Sequence, residues 1–300
     1  MEIFFSIIIP TYNRADLIAE TLRSVITQTY TRFEVIVVDD GSTDNTQEVV
    51  EKVGSPLVTY YRIPNSERGA ARNFGVSKAR GNYVTFLDSD DVFYNNCLAF
   101  AEEGLKRNNY PPFFHQAYEI GDAQHITVKV DNLRNDDLDM FLTGNHLSCI
   151  GVFIARDVFA KHKFCEDRNL SGSEDYELWM RLAANYGLKT DNRISARLNL
   201  HDMRSVLQIN VQNLIKRKNL FLFYVFQDQA VQQIFGNRKN IVESYCDSYI
   251  SLHLVLAGDV NLSWHYLTTA FLAYPQCLFD RRTFAILKYT ILSFFKRKAT

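Results

Sequence analysis

The sequence predicts an α/β protein built on a doubly wound, mainly parallel sheet, and two features of the chain support this prediction. Strand and helix patterns alternate four times in the first 91 residues, with short connections that force right-handed crossovers. Several strands are apolar throughout, which is typical of strands that a parallel sheet buries on both faces. The carboxyl ends of such strands lie at one edge of the sheet, where ligands bind.

The first four strands are predicted from apolar or β-branched runs at residues 4–9, 33–38, 58–62 and 83–87. The helix between the first two strands extends from Leu17 to about Thr27. Asp44 and Gln47 have the spacing of a capping box and predict the start of the next helix. A helix of small residues, opening at Glu67, leads into the fourth strand.

The pattern is less regular after a fourth helix over residues 96–107. Residues 113–130 predict mixed strands, and residues 148–154 predict another apolar strand. Ser173 is the predicted N-cap of a following helix, and residues 194–200 predict an edge strand that closes this part of the chain. From Val206 the periodicity is helical only. We therefore predict a catalytic domain over residues 1–205 and a C-terminal region of three or four helices over residues 206–300.

Composition indicates an ordinary globular protein and excludes several classes. The chain has 300 residues, 47% of them hydrophobic, and its net charge of −1 argues against a nucleic-acid partner. Its five cysteines show neither a C-x-x-C pair nor zinc-like spacing, which favours a reducing, cytoplasmic location. Neither a signal peptide nor a membrane-spanning run is predicted.

Three carboxylates follow the fourth strand. Asp88 and Asp90 are two residues apart in extended chain, so they project to the same side, and Asp91 follows directly. Such a set suits a hard divalent cation, Mn²⁺ or Mg²⁺, that also binds substrate phosphates. The alternative is a polar turn that caps the next helix.

Four polar clusters are expected to converge at the same edge of the sheet, and together they suit a nucleotide. They occupy residues 11–13, 39–40, 72–73 and 88–91. The chain lacks G-x-G-x-x-G after the first strand and also lacks a P-loop, which disfavours dinucleotide redox chemistry and P-loop hydrolysis. A metal is therefore expected to hold the phosphates.

Four segments in this order and spacing resemble the signatures of the inverting family 2 glycosyltransferases of GT-A fold, a nucleotide-diphospho-sugar transferase fold. The resemblance covers about residues 3–205. The segments are Ile9-Pro10-Thr11-Tyr12-Asn13-Arg14, Val37-Val38-Asp39-Asp40-Gly41-Ser42-Thr43-Asp44, Gly69-Ala70-Ala71-Arg72-Asn73 and Phe86-Leu87-Asp88-Ser89-Asp90-Asp91.

The resemblance implies roles for individual residues. The catalytic base would be Asp175, in a Glu174-Asp175 pair. The metal would be held by Asp90 and Asp91, with His201 of a late histidine motif near the diphosphate. The donor nucleotide would contact Tyr12 at the base, Asp40 at uracil, Arg72 near the base and Asp88 at the ribose, together with Thr11, Asn13 and Ser89.

Each assignment has a structural alternative. Tyr12 could close the core, Asp39 and Asp40 could both serve turn geometry, and His201 could lie on the surface. Glu174 and Asp175 sit where the helix dipole favours acids, so capping alone would explain them.

The expected activity is metal-dependent transfer of a sugar from a nucleoside diphosphate donor, UDP-linked, to a hydroxyl of a saccharide or lipid-linked acceptor in cell-surface polysaccharide synthesis. Two other functions compete with it. A nucleotidyltransferase would need a basic, glycine-rich loop after the first strand, which residues 10–14 lack. A degenerate nucleotide-sugar-binding module would keep the motifs but not turn over.

The C-terminal helix carries an apolar stripe followed by Lys296-Arg297-Lys298. The stripe consists of Phe284, Leu287, Ile291, Phe294 and Phe295. One interpretation is a helix packed on its own bundle through this stripe. The other is a peripheral contact with an anionic cytoplasmic membrane face, which suits a lipid-linked acceptor.

Overall fold

The computed structural model describes residues 2–122, 124–200 and 211–297, which fall into two compact units. The first unit contains the described residues up to Leu138 and those between His146 and Leu200. The second contains the short segment Asp139–Asn145 and the described residues after 210. The predicted domain boundary at residue 205 lies outside the described residues and stays a prediction. The position of Asp139–Asn145 in the second unit was not predicted.

The first unit begins with the predicted alternation of strands and helices. Its elements up to the acid cluster are β1 (Phe5–Thr11), α1 (Ile18–Ile26), β2 (Phe33–Asp39), α2 (Thr46–Val53), β3 (Val58–Arg62), α3 (Arg68–Lys78) and β4 (Tyr83–Phe86). Every residue of β1, β2 and β4 is buried, as their continuous apolar patterns predicted.

The rest of the unit is less regular, again as predicted. Its elements are β5 (Val92–Phe93), α4 (Cys97–Arg107), β6 (Phe113–Gln116), β7 (Tyr118–Gly121), β8 (Ile126–Val130), β9 (Val152–Ala155), α5 (Arg156–Phe159), α6 (Glu174–Tyr186), β10 (Lys189–Asp191) and β11 (Ala196–Asn199). A 3₁₀ turn at Arg168–Leu170 precedes α6. Residues 148–151, predicted as strand, precede β9 as a turn.

Seven strands form the main sheet, in the order β10-β6-β9-β4-β1-β2-β3. The pairs among β4, β1, β2 and β3 are parallel, so these four strands end at one edge. β9 is antiparallel to both of its neighbours, β4 and β6. The sheet is therefore mixed, and its reversed strand lies inside it rather than at an edge.

A second sheet of four strands has the order β5-β11-β7-β8. β11 pairs with β5 on one side and with β7 on the other. The prediction of an edge strand at residues 194–200 was therefore wrong, because β11 has a neighbour on each side.

Two predicted helix starts also differ from the structure. Asp44 does not form a capping box with Gln47; its Oδ1 accepts the backbone N–H of Thr46 at 3.1 Å, and the Gln47 side chain pairs with Glu51. Ser173 occupies the N-cap position of α6, but its side chain makes no capping bond there. Instead the Glu174 carboxylate accepts the N–H of Gly172 at 2.6 Å.

Helix α3 packs closely on the sheet at Gly75. A Cβ added to Gly75 would collide with Cγ2 of Ile8 in β1 and would lie 3.2 Å from Cγ2 of Val38 in β2. The small residues of α3 thus let its backbone approach the strands that carry the first two polar clusters.

The second unit is helical. Its α-helices are α7 (Val211–Val225), α8 (Gln229–Phe235), α9 (Lys239–Leu256), α10 (Val260–Ala273) and α11 (Arg281–Arg297), five in the described residues where three or four were predicted. Helices α9 and α10 approach closely through Ser251 and Ser263, whose hydroxyls each donate to the other's carbonyl, at 2.8 and 2.9 Å. Within the described part of the chain, none of the helices combines the length and hydropathy that a bilayer span requires.

Candidate active site

The loop after β1 is tied to the loop after β2. Asn13 has a φ of 50°, a left-handed conformation that asparagine tolerates. Its N–H donates to Ser42 Oγ at 2.9 Å, and its Oδ1 accepts the N–H of Thr43 at 2.8 Å. Tyr12 projects outward with 47% of its surface exposed, whereas Thr11 is buried. The exposed Tyr12 does not close the core, so its ring is accessible to a ligand.

The two acids after β2 have different surroundings. Asp39 accepts the N–H of Ser42 at 2.7 Å and the hydroxyl of Tyr60, so it orders the turn. Asp40 is 4% exposed, and its carboxylate accepts the N–H groups of Ser66 and Glu67 at 2.6 and 2.9 Å. Burial raises the pKa of Asp40, although these hydrogen bonds oppose the rise. Asp40 thus holds the loop that leads into α3, a structural role beyond the turn geometry that the sequence suggested for it.

The three carboxylates that follow β4 form a compact cluster. One oxygen from each of Asp88, Asp90 and Asp91 lies within 4.8 Å of the others. Asp91 is buried, and its Oδ1 accepts the backbone N–H of Asn199 in β11 at 2.8 Å. The Asn199 amide also donates to the carbonyl of Asp90 at 2.7 Å. The second sheet therefore holds the far end of the cluster in place.

Two arginines lie against this cluster. Arg14 Nε is 3.6 Å from Asp90 Oδ2, which brings the loop after β1 to the acids. Arg72 in α3 is buried, and its guanidinium donates to Asp88 Oδ1 at 2.7 Å. The convergence of the polar clusters at one edge, predicted from the parallel strands, is thus seen for residues 11–13, 39–40, 72 and 88–91.

Arg72 also reaches the start of α6. Its second terminal nitrogen donates to Oε1 of Glu174 at 3.0 Å, and the side chains of Arg72 and Glu174 are only 2% and 5% exposed. Arg68, one turn earlier, lies 3.9 Å from the same oxygen. Burial alone would lower the pKa of Arg68, but Glu174 and Asp88 together raise it. Arg72 is therefore a buried bridge between the acid cluster and α6.

Asp175 stands next to this bridge, in the first turn of α6. It is partly buried, and its Oδ1 accepts the backbone N–H of Tyr176 at 2.7 Å, while Glu174 of the same turn pairs with Arg72. Burial raises the pKa of the Tyr118 hydroxyl, and the charges of Asp175 and Asp91 raise it further. Asp175 and Asp91 thus both act electrostatically on the buried Tyr118 hydroxyl.

The predicted site residues have different positions. Tyr12, Asp88, Asp90 and Asp175 keep side-chain surface, whereas Thr11, Asp40, Arg72, Ser89 and Asp91 are buried. His201 lies outside the described residues. Glu174, Arg14 and Asn199 were not assigned roles from the sequence. No local sequence pattern predicts the contacts of these three residues, because their partners are distant in the chain. Arg72 and Glu174, for example, are 102 residues apart.

The donor set fits a divalent cation. Carboxylate oxygens are the ligands that Mg²⁺ and Mn²⁺ prefer, and the three acids lie close enough to share one ion. Arg14 and Arg72 each pair with one member, which offsets part of the charge of the cluster without burying Asp88 or Asp90.

The fold and the acid cluster define the class. The mixed sheet with acids at the end of β4 is a GT-A-type fold, as predicted. The crystal structure of residues 1–349 of S. aureus TarS in complex with UDP-GlcNAc superposes with a TM-score of 0.71, covering 99% of this chain and 92% of that chain at 19% identity. Residues 6–162 match the model of the family "Glycosyl transferase family 2". The chain belongs to that family, which confirms the resemblance found in the four motifs.

Curated relatives agree with this assignment. The chain is 43% identical over 184 residues to TuaG of Bacillus subtilis (strain 168), a candidate teichuronic acid biosynthesis glycosyltransferase, covering 59% of this chain and 71% of TuaG. It is 32% identical over 192 residues to the Escherichia coli UDP-Glc:alpha-D-GlcNAc-diphosphoundecaprenol beta-1,3-glucosyltransferase WfgD, covering 64% and 72%. An uncharacterized glycosyltransferase of Rickettsia bellii (strain RML369-C) is 38% identical over 183 residues. The match covers 60% of this chain but only 26% of that relative's length.

Proposed function

We propose that this protein is a metal-dependent, inverting glycosyltransferase. It transfers a sugar from a UDP-linked donor to a hydroxyl of a saccharide or lipid-linked acceptor in cell-surface polysaccharide synthesis. The observation that carries the proposal is the Arg72 bridge, which joins the acid cluster after β4 to the turn that bears Asp175. Inverting transfer needs a base on one side of the donor and charge stabilisation on the other, and this site contains both kinds of group.

The donor half of the proposal rests on the edge formed by β1, β2 and β4. Tyr12 offers an exposed ring for the base, and Asp88 keeps a third of its side chain exposed beside Arg72. Asp90 and Asp91 would hold the cation, with His201 as a further predicted ligand, and Asp88 lies close enough to the same point to contribute an oxygen. A divalent cation bound there neutralises charge on the diphosphate leaving group.

The acceptor half rests on Asp175. A sugar hydroxyl is a weak nucleophile at neutral pH, so a positioned base that takes its proton speeds transfer by about 10²- to 10⁴-fold. Glu174 cannot serve this role easily, because its carboxylate is bonded to Arg72 and to the N–H of Gly172. The names of WfgD and TuaG, a diphosphoundecaprenol-linked acceptor and teichuronic acid biosynthesis, support an acceptor of the surface-polysaccharide type. Contact with a membrane would belong to the same function.

Asp175→Asn tests the proposal. We expect donor affinity, measured by calorimetry with Mn²⁺ and UDP-sugars, to stay within about two-fold, because the nucleotide groups lie before residue 92. The rate of diphosphate release from a panel of nucleotide sugars should fall at least 10²-fold. Asp157→Asn is the matched control, since Asp157 also stands in the first turn of a helix, α5.

Three results would contradict the proposal. Turnover of the Asp175→Asn variant within a few-fold of wild type would remove Asp175 from the mechanism. Full wild-type activity in excess chelator would show that the reaction does not need a divalent cation. A wild-type protein that binds UDP-sugars but turns over none of them would favour the binding-module alternative.

A further inference from the structure

The apolar stripe predicted on the last helix faces outward. Phe284, Leu287 and Ile291 in α11 are 59%, 37% and 56% exposed. The side chains of Phe294 and Phe295, the other members of the stripe, lie outside the described residues. The idea that α11 packs on its bundle through this stripe is therefore wrong for the three described members.

A different face of α11 is buried, and it is the less apolar one. Thr283, Ile286 and Thr290 are 1%, 0% and 4% exposed, at the three- and four-residue spacing of one helix face. Ile286 joins the core formed with α9 and α10. A helix that buries two threonines while exposing phenylalanine, leucine and isoleucine has the burial pattern of a helix whose apolar face is covered by something else.

Exposed apolar side chains continue on the elements before α11. Phe279 and Leu278, in the 3₁₀ turn Pro275–Phe279, are 82% and 39% exposed. Leu272 at the end of α10 is 75% exposed, and Trp264 on the same helix is 42% exposed. We call seven of the exposed apolar residues of α10, the 3₁₀ turn and α11 the apolar ridge: Trp264, Leu272, Leu278, Phe279, Phe284, Leu287 and Ile291. Such a concentration is unusual for surface that remains in water.

The basic residues of this part of the chain indicate what kind of surface binds the ridge. After Asp259 the sequence contains one acid, Asp280, against six basic residues: Arg281, Arg282, Lys288, Lys296, Arg297 and Lys298. Arg281 and Lys288 are exposed on α11 itself. A basic, apolar surface with an exposed tryptophan suits the interface of an anionic bilayer, where lipid phosphates meet the cations and acyl chains cover the apolar side chains. A self-association surface would have no need for this one-sided charge.

We propose that the apolar ridge binds the surface of an anionic lipid bilayer. The ridge lies in the interface without crossing it, and the exposed cations Arg281 and Lys288 of α11 face the phosphates. This inference rests on the proposed function in one respect: a lipid-linked acceptor would lie at the membrane surface that the ridge binds. Vesicle binding and diphosphate release are separate measurements, so either proposal can fail while the other stands.

Co-sedimentation of the full chain with vesicles tests the inference. Wild type should bind phosphatidylglycerol–phosphatidylcholine vesicles at least ten-fold more tightly than pure phosphatidylcholine vesicles. Phe284→Ser/Ile291→Ser should weaken binding to the anionic vesicles by ten-fold or more, because it removes two exposed apolar groups without touching the core. The control is Phe223→Ser/Ile126→Ser, which removes exposed residues of the same types, 59% and 41% exposed, from α7 and β8.

A charge variant and a solution measurement complete the test. Arg281→Glu/Lys288→Glu should also weaken binding at least ten-fold and lessen its sensitivity to salt. Thermal melts should show the same stability for all variants. The inference is overturned if wild type does not bind anionic vesicles, or if the ridge and control variants bind equally. It is also overturned if sedimentation shows a dimer that Phe284→Ser/Ile291→Ser abolishes, which would mean that a second copy covers the ridge.

Discussion

Replacing Arg72 with methionine tests the bridge between the two halves of the site. Methionine fills most of the volume but removes the guanidinium, so Glu174 loses its buried partner while remaining 5% exposed. At 3.0 Å and an effective dielectric constant of about 20, the pair attracts by roughly 5 kcal/mol before desolvation. Breaking a buried pair by removing one partner costs about 3–5 kcal/mol, and we expect a loss in this range. The bond to Asp88 adds little, because that side chain is 33% exposed and screened by water.

The assay uses the two tryptophans of the chain. Trp179 is buried in the first unit and Trp264 is exposed in the second, so Trp264→Phe leaves a fluorescence reporter for the unit that contains Arg72. In that background, Arg72→Met should lower the melting temperature by about 10 °C. The control is Arg32→Met, which removes an arginine that is 54% exposed from its pair with Glu2, itself 75% exposed, and should cost no more than about 1 kcal/mol.

A double-mutant cycle shows whether the loss belongs to the pair. Glu174→Gln removes the charge that Arg72→Met leaves with only the more distant Arg68, at 3.9 Å, so the double variant should be more stable than the sum of the single losses by about 2 kcal/mol or more. The reasoning is refuted if Arg72→Met unfolds within about 1 kcal/mol of wild type, or if the two losses add. Arg72→Lys keeps the charge but lacks the fork that serves two carboxylates, so its loss should be intermediate.

Three further predictions concern other parts of the first unit. Gly75→Ala should destabilise it by about 1–3 kcal/mol because the new methyl group meets β1, whereas Gly236→Ala, with open space at its Cβ position, should not. Burial lowers the pKa of His115 to about 3, so between pH 6.5 and 3 the unfolded chain holds one more proton than the folded chain and stability falls as pH falls. From pH 7 to pH 4 the titration of His115 should lower the free energy of unfolding by about 3 kcal/mol. In urea titrations, His115→Leu should abolish this loss, and the exposed-site control His125→Leu should not. Asp40→Ala should lower the free energy of unfolding by about 2 kcal/mol, since it leaves two backbone N–H groups without their acceptor, and it should also weaken donor binding. An unchanged melting temperature would show that the loop before α3 does not need the Asp40 carboxylate.

The class of fold and the position of the candidate site follow from the sequence alone. Continuous apolar strands report burial on both faces, and acids directly after such a strand must lie at its carboxyl end. The four motifs therefore indicated both the GT-A-type fold and the family. Local patterns carried this information because each signal spans only a few residues.

Features that depend on contacts between residues distant in the chain are seen only in the three-dimensional structure. Nothing in residues 152–155 reveals that β9 runs against its neighbours, since burial on both faces gives the same apolar run in either direction. The Arg72–Glu174 bridge joins residues 102 apart, and Asn199 reaches Asp91 from another sheet. The stripe on α11 is the clearest case. Helical periodicity shows that one face is apolar, but only the packing of Thr283, Ile286 and Thr290 reveals which face the rest of the protein leaves exposed.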